Sequence, residues 1–463
     1  MGSSFGGINT ALTSLYAQRR GLDVTGQNIA NANTEGYTRQ RVGMQSQVGS
    51  LSPAMYAKTD GLGTGVAVSD VQRLRDEYLE NRGRTEHGAS SYLSAQSASY
   101  TSIEDAFAEP SDTALAAQLR DMWGGWNDVS NNPQLSAPRS ALIQQSATVA
   151  DQLNAAQDSL SRQWSQDRTQ MAAYVDDVNV TAGSIAQLND SIIMANASGL
   201  TVNELEDRRD LLAMKLSELT GATAAKRENG GMDVFIGGST LVTGTTTRQL
   251  DVTGAKRLQD QLTGGDPVRL VWKDDVGSTV QAGGKMGASV DTMTTIIPGL
   301  SGDLTSVTDN LINSVNAKHR DGFSVDGSTG LDFFGRKPDG SVTVLIEDPD
   351  KVAVAGTNGT LDNSVADAIA DIGDAADGPD REYQSMIGRL GVSSQGSTRR
   401  AEIQAVVTEQ IDAAREGESG VNLDEEMTNL LTYQRGYEAA SRVLTTIDSM
   451  LDQLINRTGL VGR

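Results

Sequence analysis

Apolar side chains recur at both ends of this chain at intervals of three, four and seven. Near the N-terminus, Ile8, Leu12, Leu15, Leu22 and Ile29 form a heptad seam in which Arg19 and Gly26 fill two positions. The C-terminus is more regular. Leu430, Tyr437, Leu444 and Leu451 fall every seven residues, and Tyr433, Ala440, Ile447 and Leu454 fall three after each. A stripe of only two positions per heptad is narrower than the apolar face of a globular helix and predicts a coiled-coil seam. Asn422, three residues before Glu425, supplies an N-cap, and Arg457 with Gly459 supplies the stop. One such helix could simply pack on its own domain. Seams at both extremities predict instead that the ends pair with each other or with neighbouring copies.

The interior changes period twice. Leu153, Leu160, Trp164, Met171, Val175, Val178, Ile185, Leu188 and Ile192 keep helical spacing in a stretch whose only glycine is Gly183. Some 55–60 helical residues would span roughly 80–90 Å, which is a rod. A second helical block covers 201–219. Beyond Gly221, Met232–Ile236 before Gly237-Gly238, and the run 268–272, read as strands with turns. Helical spacing returns through Met293, Ile297, Leu304, Leu311 and Val315, and Val342, Val344 and Ile346 alternate. The stretch 361–380 holds six aspartates and no basic residue, which predicts a solvated loop. Helix resumes near Tyr383, with glycine-rich pauses at 391–396 and 416–420.

The expected fold is mainly α with β-rich inserts, elongated and multidomain, with the small β domain farthest from the termini. Residues 1–44 and 417–463 would form a terminal coiled-coil assembly domain. Residues 45–221, 285–320 and 381–416 would form a helical rod domain, 222–284 a β-rich insert, and 321–380 an irregular or β insert packed near the rod.

Composition narrows the chemistry. Among 463 residues the formal charge is −22, which argues against binding a phosphate backbone. Cysteine is absent and the two histidines are His87 and His319, so thiolate chemistry is excluded and a multi-histidine metal site is not expected. Residues 321–332 have the length of a calcium loop, but Phe323 and Val325 stand where oxygen ligands belong. No apolar run is long enough to cross a membrane, and the uncharged first eighteen residues do not form a cleaved secretory signal. No catalytic, cofactor-binding or metal-ligating residues are expected.

The segment Asn28-Ile29-Ala30-Asn31-Ala32-Asn33-Thr34-Glu35-Gly36-Tyr37-Thr38-Arg39-Gln40 resembles the N-terminal motif of bacterial flagellar axial proteins. Two more segments look like later elements of that family. One is Gly63-Thr64-Gly65-Val66-Ala67-Val68, leading to Arg73, Asp76 and Leu79. The other is Gly420-Val421-Asn422-Leu423-Asp424-Glu425-Glu426, continuing through Tyr433-Gln434-Arg435 to Leu454-Ile455-Asn456. The motif positions are Asn28, Asn31, Asn33, Thr34, Gly36, Tyr37, Arg39 and Gln40 at one end, and Asn422, Leu423, Asp424 and Glu425 at the other. Within the family the chain is similar to the hook-associated members at the hook–filament junction. That similarity rests on Arg39-Gln40, the 421–426 run, Trp126 to Pro133 with Arg139, Asp207-Arg208-Arg209-Asp210, Ile236-Gly237-Gly238 and Leu331-Asp332-Phe333-Phe334. Glu35 stands where the family often has proline, and the inserts are short.

The resemblance implies a structural adaptor, not an enzyme, that self-assembles through its terminal helices and joins hook to filament. Leu12, Leu15, Leu22 and Ile29, with Leu430, Tyr433, Tyr437, Leu444, Ile447, Leu451 and Leu454, would form the assembly interface. Implied partners are copies of the chain, the hook protein, the next hook-associated junction protein and an export chaperone on the C-terminal helix. Neither nucleic acid nor membrane is among them. The site of action would be the extracellular flagellum, reached without a cleaved signal peptide. Competing expectations are a hook or rod subunit and, from another class, a secreted hydrolase or surface adhesin carried by the inserts.

Overall fold

A computed structural model describes residues 4–47, 63–360 and 362–456, so the stop signals Arg457 and Gly459 lie outside the described residues. The chain opens with α1 (Ser4–Ala30), followed by an antiparallel ribbon of β1 (Gln40–Gln47) and β2 (Gly65–Arg73) in which Gln40 opposes Arg73. Val42 and Val71 of the ribbon bury against Val24 of α1, with Met44 and Val68 beside them. Burial of these side chains gives the terminal unit a small core of its own.

The rod begins at α2 (Glu77–Phe107), whose first amides at Tyr78 and Leu79 are capped by the Asp76 carboxylate at 2.8 and 3.1 Å. Next come α3 (Leu115–Asn131), α4 (Ser136–Ala197) and α5 (Asn203–Thr220). At 62 residues α4 is about 90 Å long, and the apolar positions expected along it are buried, except for a half-buried Leu188.

Seven short strands follow: β3 (Thr223–Lys226), β4 (Met232–Ile236), β5 (Ser239–Thr243), β6 (Thr246–Thr247), β7 (Leu250–Thr253), β8 (Arg269–Trp272) and β9 (Asp275–Thr279), with α6 (Leu258–Leu262) between β7 and β8. They form a four-stranded sheet β3–β6 and a three-stranded sheet β7–β9, both antiparallel. Helix returns as α7 (Gly284–Asp291), a π turn (Thr292–Ile296) and α8 (Ile297–Asp321). The carbonyl of Met293 in the π turn accepts the Trp164 indole N–H at 2.9 Å and a Gln261 amide N–H at 3.1 Å, so this irregular backbone remains satisfied. Two small pairs, β10 (Phe323–Ser324) with β13 (Ala353–Ala355) and β11 (Phe334–Arg336) with β12 (Val342–Val344), precede α9 (Ser364–Ala370), α10 (Pro379–Ser419) and α11 (Leu423–Asn456).

Three sequence expectations change. The sheets of 223–279 are not farthest from the termini: β3–β6 seats on α4 near Asn189, toward the end of the rod that meets the terminal unit. The far end is built from α3, α9 and the 321–380 insert, where Arg139 near the start of α4 binds the Pro349 carbonyl and Asp350, each at 2.8 Å. The aspartate-rich stretch is not a plain loop, because Ala366 and Ile369 of α9 bury in the main core. Finally, α10 runs unbroken through 391–396. Polar bonds to antiparallel α2 hold it there, including Ser394 Oγ to Glu104 Oε2 at 2.6 Å and Ser97 to Thr398 at 3.0 Å. The break at Gly420 is present, and Asn422 caps α11 through the Asp424 and Glu425 amides at 3.0 and 3.3 Å.

Candidate assembly interface

The two terminal helices pair antiparallel. Asn28 donates to Glu426 at 3.0 Å, and farther along the pair Gly21 lies under Tyr433, Gly436 against Gln18 and Gly7 against Ile447. A Cβ on Gly21 would stand 2.7 Å from the Tyr433 ring, so the glycine is what lets the helices approach. The inward face of α1 carries Ala11, Ala17, Gly21, Val24, Thr25 and Asn28, a run of small and polar residues.

The sequence-derived seam divides between this inner contact and the outside. On α11, Leu430, Tyr433, Leu444, Ile447 and Leu451 are half-buried and Ala440 is buried, whereas Tyr437 and Leu454 are exposed. On α1, Leu15, Leu22 and Ile29 are half-buried and Leu12 is exposed, none of them on the most buried face. Much of the pair's apolar surface therefore faces outward. Of 23 exposed large apolar side chains among the described residues, ten lie on these two helices: Leu12 and Tyr16 on α1, the others on α11 between Leu423 and Ile455. Two helices of 27 and 34 residues thus carry a share far above their length.

The motif residues close the end of this pair. Asn28, fully buried, donates to the Gln40 carbonyl at 2.9 Å, while its Oδ1 accepts from the Gln40 amide at 3.0 Å and the Tyr37 hydroxyl at 2.8 Å. Asn31 bonds the Gln27 carbonyl at 3.0 Å and receives the Thr34 hydroxyl at 3.2 Å, and Gly36 turns the chain at φ +76° with Leu211 beside it. Asn33 stays exposed. Arg39 spans to the start of α11, with Nε on Glu426 at 2.8 Å and a terminal nitrogen on Glu425 at 2.7 Å. Burial alone would lower the Arg39 guanidinium; those two carboxylates more than offset it and hold it above its ordinary value. Burial, and then the charges of Asp207, Glu204 and Glu426, push the Tyr37 hydroxyl up, so it remains a donor to Asn28. Leu423 is exposed and Asp424 sits in the favourable first turn of α11.

Several participants escape sequence reasoning. The role of Glu426 is one: the residue stands in the 420–426 run, but nothing in that exposed-looking acidic stretch marks it as a buried carboxylate bound to Asn28 and Arg39. Val443, Met427 and Met450, all about half exposed, lie off the heptad stripe. The small residues of α1 offered a signal, because Gly7, Ala11, Gly21 and Asn28 recur at multiples of about one helical turn. Among the described residues no group of three or more His, Asp or Glu is arranged to hold a metal, and no helix is long and apolar enough to cross a membrane.

A chain whose ends fold back on each other, closed by this turn, has the form of a flagellar axial protein. Two family models agree: residues 8–38 match the flagella basal body rod protein, and residues 417–457 match the C-terminal part of the flagellar basal body rod FlgEFG proteins. Residues 100–334 match the helical domain of flagellar hook-associated protein FlgK, and the chain belongs to that family of structural flagellar proteins. Flagellar hook-associated protein 1 of Bacillus subtilis strain 168 is 29% identical over 514 aligned positions, covering 100% of both chains. The protein of that name from Escherichia coli K12 is 24% identical, over 97% of this chain and 99% of its own length. The solved flagellar hook junction protein FlgK from Burkholderia pseudomallei aligns with a TM-score of 0.49 and 24% identity, over 56% of this chain and 47% of that one.

Proposed function

We infer that the chain is the structural adaptor of the hook–filament junction, packing the outward faces of α1 and α11 against neighbouring copies, with no catalytic role. The observation that carries the interface is the concentration of exposed apolar side chains on a helix pair whose inner contact is already made. Burying each such side chain between copies contributes about 1.5–3 kcal/mol before ordering costs, so a ring of contacts suffices for a stable wall. Family membership supports copies of the chain, the hook protein and the next hook-associated junction protein as partners. Export without a cleaved signal, and a chaperone covering the C-terminal stripe before assembly, belong to the same reading.

The structure suggests a sharper probe than a seam leucine. Leu444 is half-buried in the free chain, so a charge there would also loosen it. Val443 and Met450 are each 50% exposed. The double variant Val443→Asp, Met450→Asp is expected to melt like the parent chain yet fail to support filament growth in cells lacking the parent gene. Filaments of normal length on that variant would overturn the assembly interface. An epitope inserted after Thr245, in an exposed hairpin turn, separates the readings of place: one immunogold band between hook and filament supports the junction, whereas label along the whole hook makes this a hook subunit.

A further inference from the structure

Only two covalent crossings join the terminal unit to the rod: residues 74–76, between β2 and α2, and residues 420–422, between α10 and α11. Both are short and non-helical. The valine core of the terminal unit is separate from the main apolar core. Two crossings define an axis, and nothing in that connectivity prevents rotation about it. Non-covalent contacts beside the crossings must therefore set the angle, and one of them is the Arg39 amide on the Ser419 carbonyl at 2.9 Å.

The first half of α5 provides a larger set. Arg73 at the end of β2 donates to Asp207 at 2.7 Å and Asp210 at 3.0 Å, and also pairs with Glu206. The Thr38 amide donates to the other Asp207 oxygen at 3.0 Å. Asn203 donates to the Gln40 side chain at 3.1 Å and to the Val71 carbonyl at 3.0 Å. Arg75, just beyond the ribbon, reaches Asp210 as well. These groups are withdrawn from water: the side chains of Arg73, Asp207 and Asp210 are 6%, 7% and 2% exposed. In between, Arg209 turns the opposite way and donates to the Gly230 carbonyl at 2.6 Å, which anchors α5 to the β3–β4 turn. The socket is thus fixed to the rod on its far side. A cleft of about 820 Å³ is lined both by Thr38, Asp207 and Asp210 of this contact and by Ser419 and Val421 at the α10–α11 crossing.

We propose that Asp207 and Asp210 are positioning residues that lock the terminal helix pair at one angle to the rod. The two carboxylates bind one ribbon arginine and one backbone amide, groups whose directions are set by β1 and β2, so the contact fixes orientation as well as distance. The proposal concerns the free chain and goes beyond the assembly reading, so either can fail without the other.

The chain contains no cysteine, which allows unambiguous spin labelling at Asp23→Cys on α1 and Thr169→Cys on α4, both exposed. Electron–electron distance measurements on the full chain should give one narrow distribution. With Asp207→Asn and Asp210→Asn added, the distribution should become roughly twice as wide while the rod keeps its cooperative melt. Arg73→Lys, which lies outside the rod core and retains charge but loses the forked geometry, should broaden it too. A broad distribution in the parent, or a narrow one in both variants, would overturn the proposal. Should the aspartate variant lose its melt, the Arg73→Lys result decides alone.

Discussion

Gly21 and Gly26 lie five positions apart on α1 and should respond oppositely to the same substitution. Nothing lies within 4 Å of a Cβ on Gly26, so Gly26→Ala should stabilise the helix by about 0.5–1 kcal/mol through propensity and unfolded-state entropy. At Gly21 the new methyl meets ring carbons of Tyr433 at 2.7–2.8 Å, and forcing the helices apart costs about 1–3 kcal/mol, outweighing that gain. Amide exchange along α1 should slow in the first variant and quicken in the second; equal responses would mean the helices are not in this contact. The two histidines form a second contrast. His319 is buried and neutral, donating from Nδ1 to the Leu331 carbonyl at 2.7 Å and accepting the Ala353 amide on Nε2 at 3.0 Å. Burial lowers it below the ordinary 6.5 against weaker opposing pulls from the Leu331 carbonyl and Asp332, so stability falls as pH drops through about 6.5, where the unfolded chain binds the extra proton. His87, facing Glu218 of α5 and Asp412 of α10, is raised by the Glu218 bond, opposed by burial and raised again by Asp412. Its contribution is full below about 6.5 and is lost as pH rises through the raised value, and solvent at this partly exposed site screens it. Urea midpoints between about pH 5.5 and pH 8.5 should show His319→Gln flattening the acid limb and His87→Gln flattening the alkaline limb. The residues of the closing turn were legible as a motif because Asn, Gly and Thr cluster there. Their chemistry was not: Asn28 and Arg39 meet Glu426 from 398 and 387 residues away, which no local pattern encodes.

At the scale of elements, period and length carried most of the information. The long rod helix, the second helical block, the strand at Met232–Ile236 and the alternation at Val342–Val344 all stand near where the spacing placed them. α2 gave no such signal, because its buried face mixes Glu80, Gly83, Arg84 and Gly88 with two apolar residues near its end. The docking of the inserts was equally hidden. Three asparagines on α4 each clamp one strand residue by both backbone groups: Asn154 on Val342, Asn179 on Leu250 and Asn189 on Met232, with distances of 2.7–3.0 Å. Asn316 of α8 does the same for Phe334. Such a side chain extends a sheet edge onto a helix, satisfying groups that burial would otherwise leave unpaired. Asn189 is fully buried and also serves the Gly244 carbonyl at 2.7 Å, whereas Asn154 and Asn179 are only half-buried. Asn189→Ala should therefore cost about 2–4 kcal/mol, and the other two alanine variants distinctly less because water can replace the lost amide. Urea unfolding of the three variants tests the ordering, and equal losses would mean the clamps do not depend on burial.

For the whole molecule, two kinds of electrostatics coexist and should separate under salt. The chain carries −22, and most of that charge lies outside α1 and α11, so copies packed side by side repel through their rods and inserts. Exposed charges farther apart than about 8 Å are largely screened at physiological ionic strength, and apolar contacts are not weakened by salt. Assembly through the outward faces of the terminal pair should therefore strengthen as salt rises. The joint on α5 is different: Arg73, Asp207 and Asp210 are almost entirely shielded from solvent, and burial, which would lower Arg73, is outweighed by Asp210, Glu206 and Asp207. Screening reaches such a buried group poorly, so the angle between terminal pair and rod should not change over the same salt range. Light scattering of the concentrated chain should increase from about 50 mM to about 500 mM salt while the label-to-label distance on the dilute chain stays fixed. If salt instead dispersed the assemblies, neighbouring copies would be meeting through complementary charge. The exposed leucines, valine and methionines of α11 would then need another occupant.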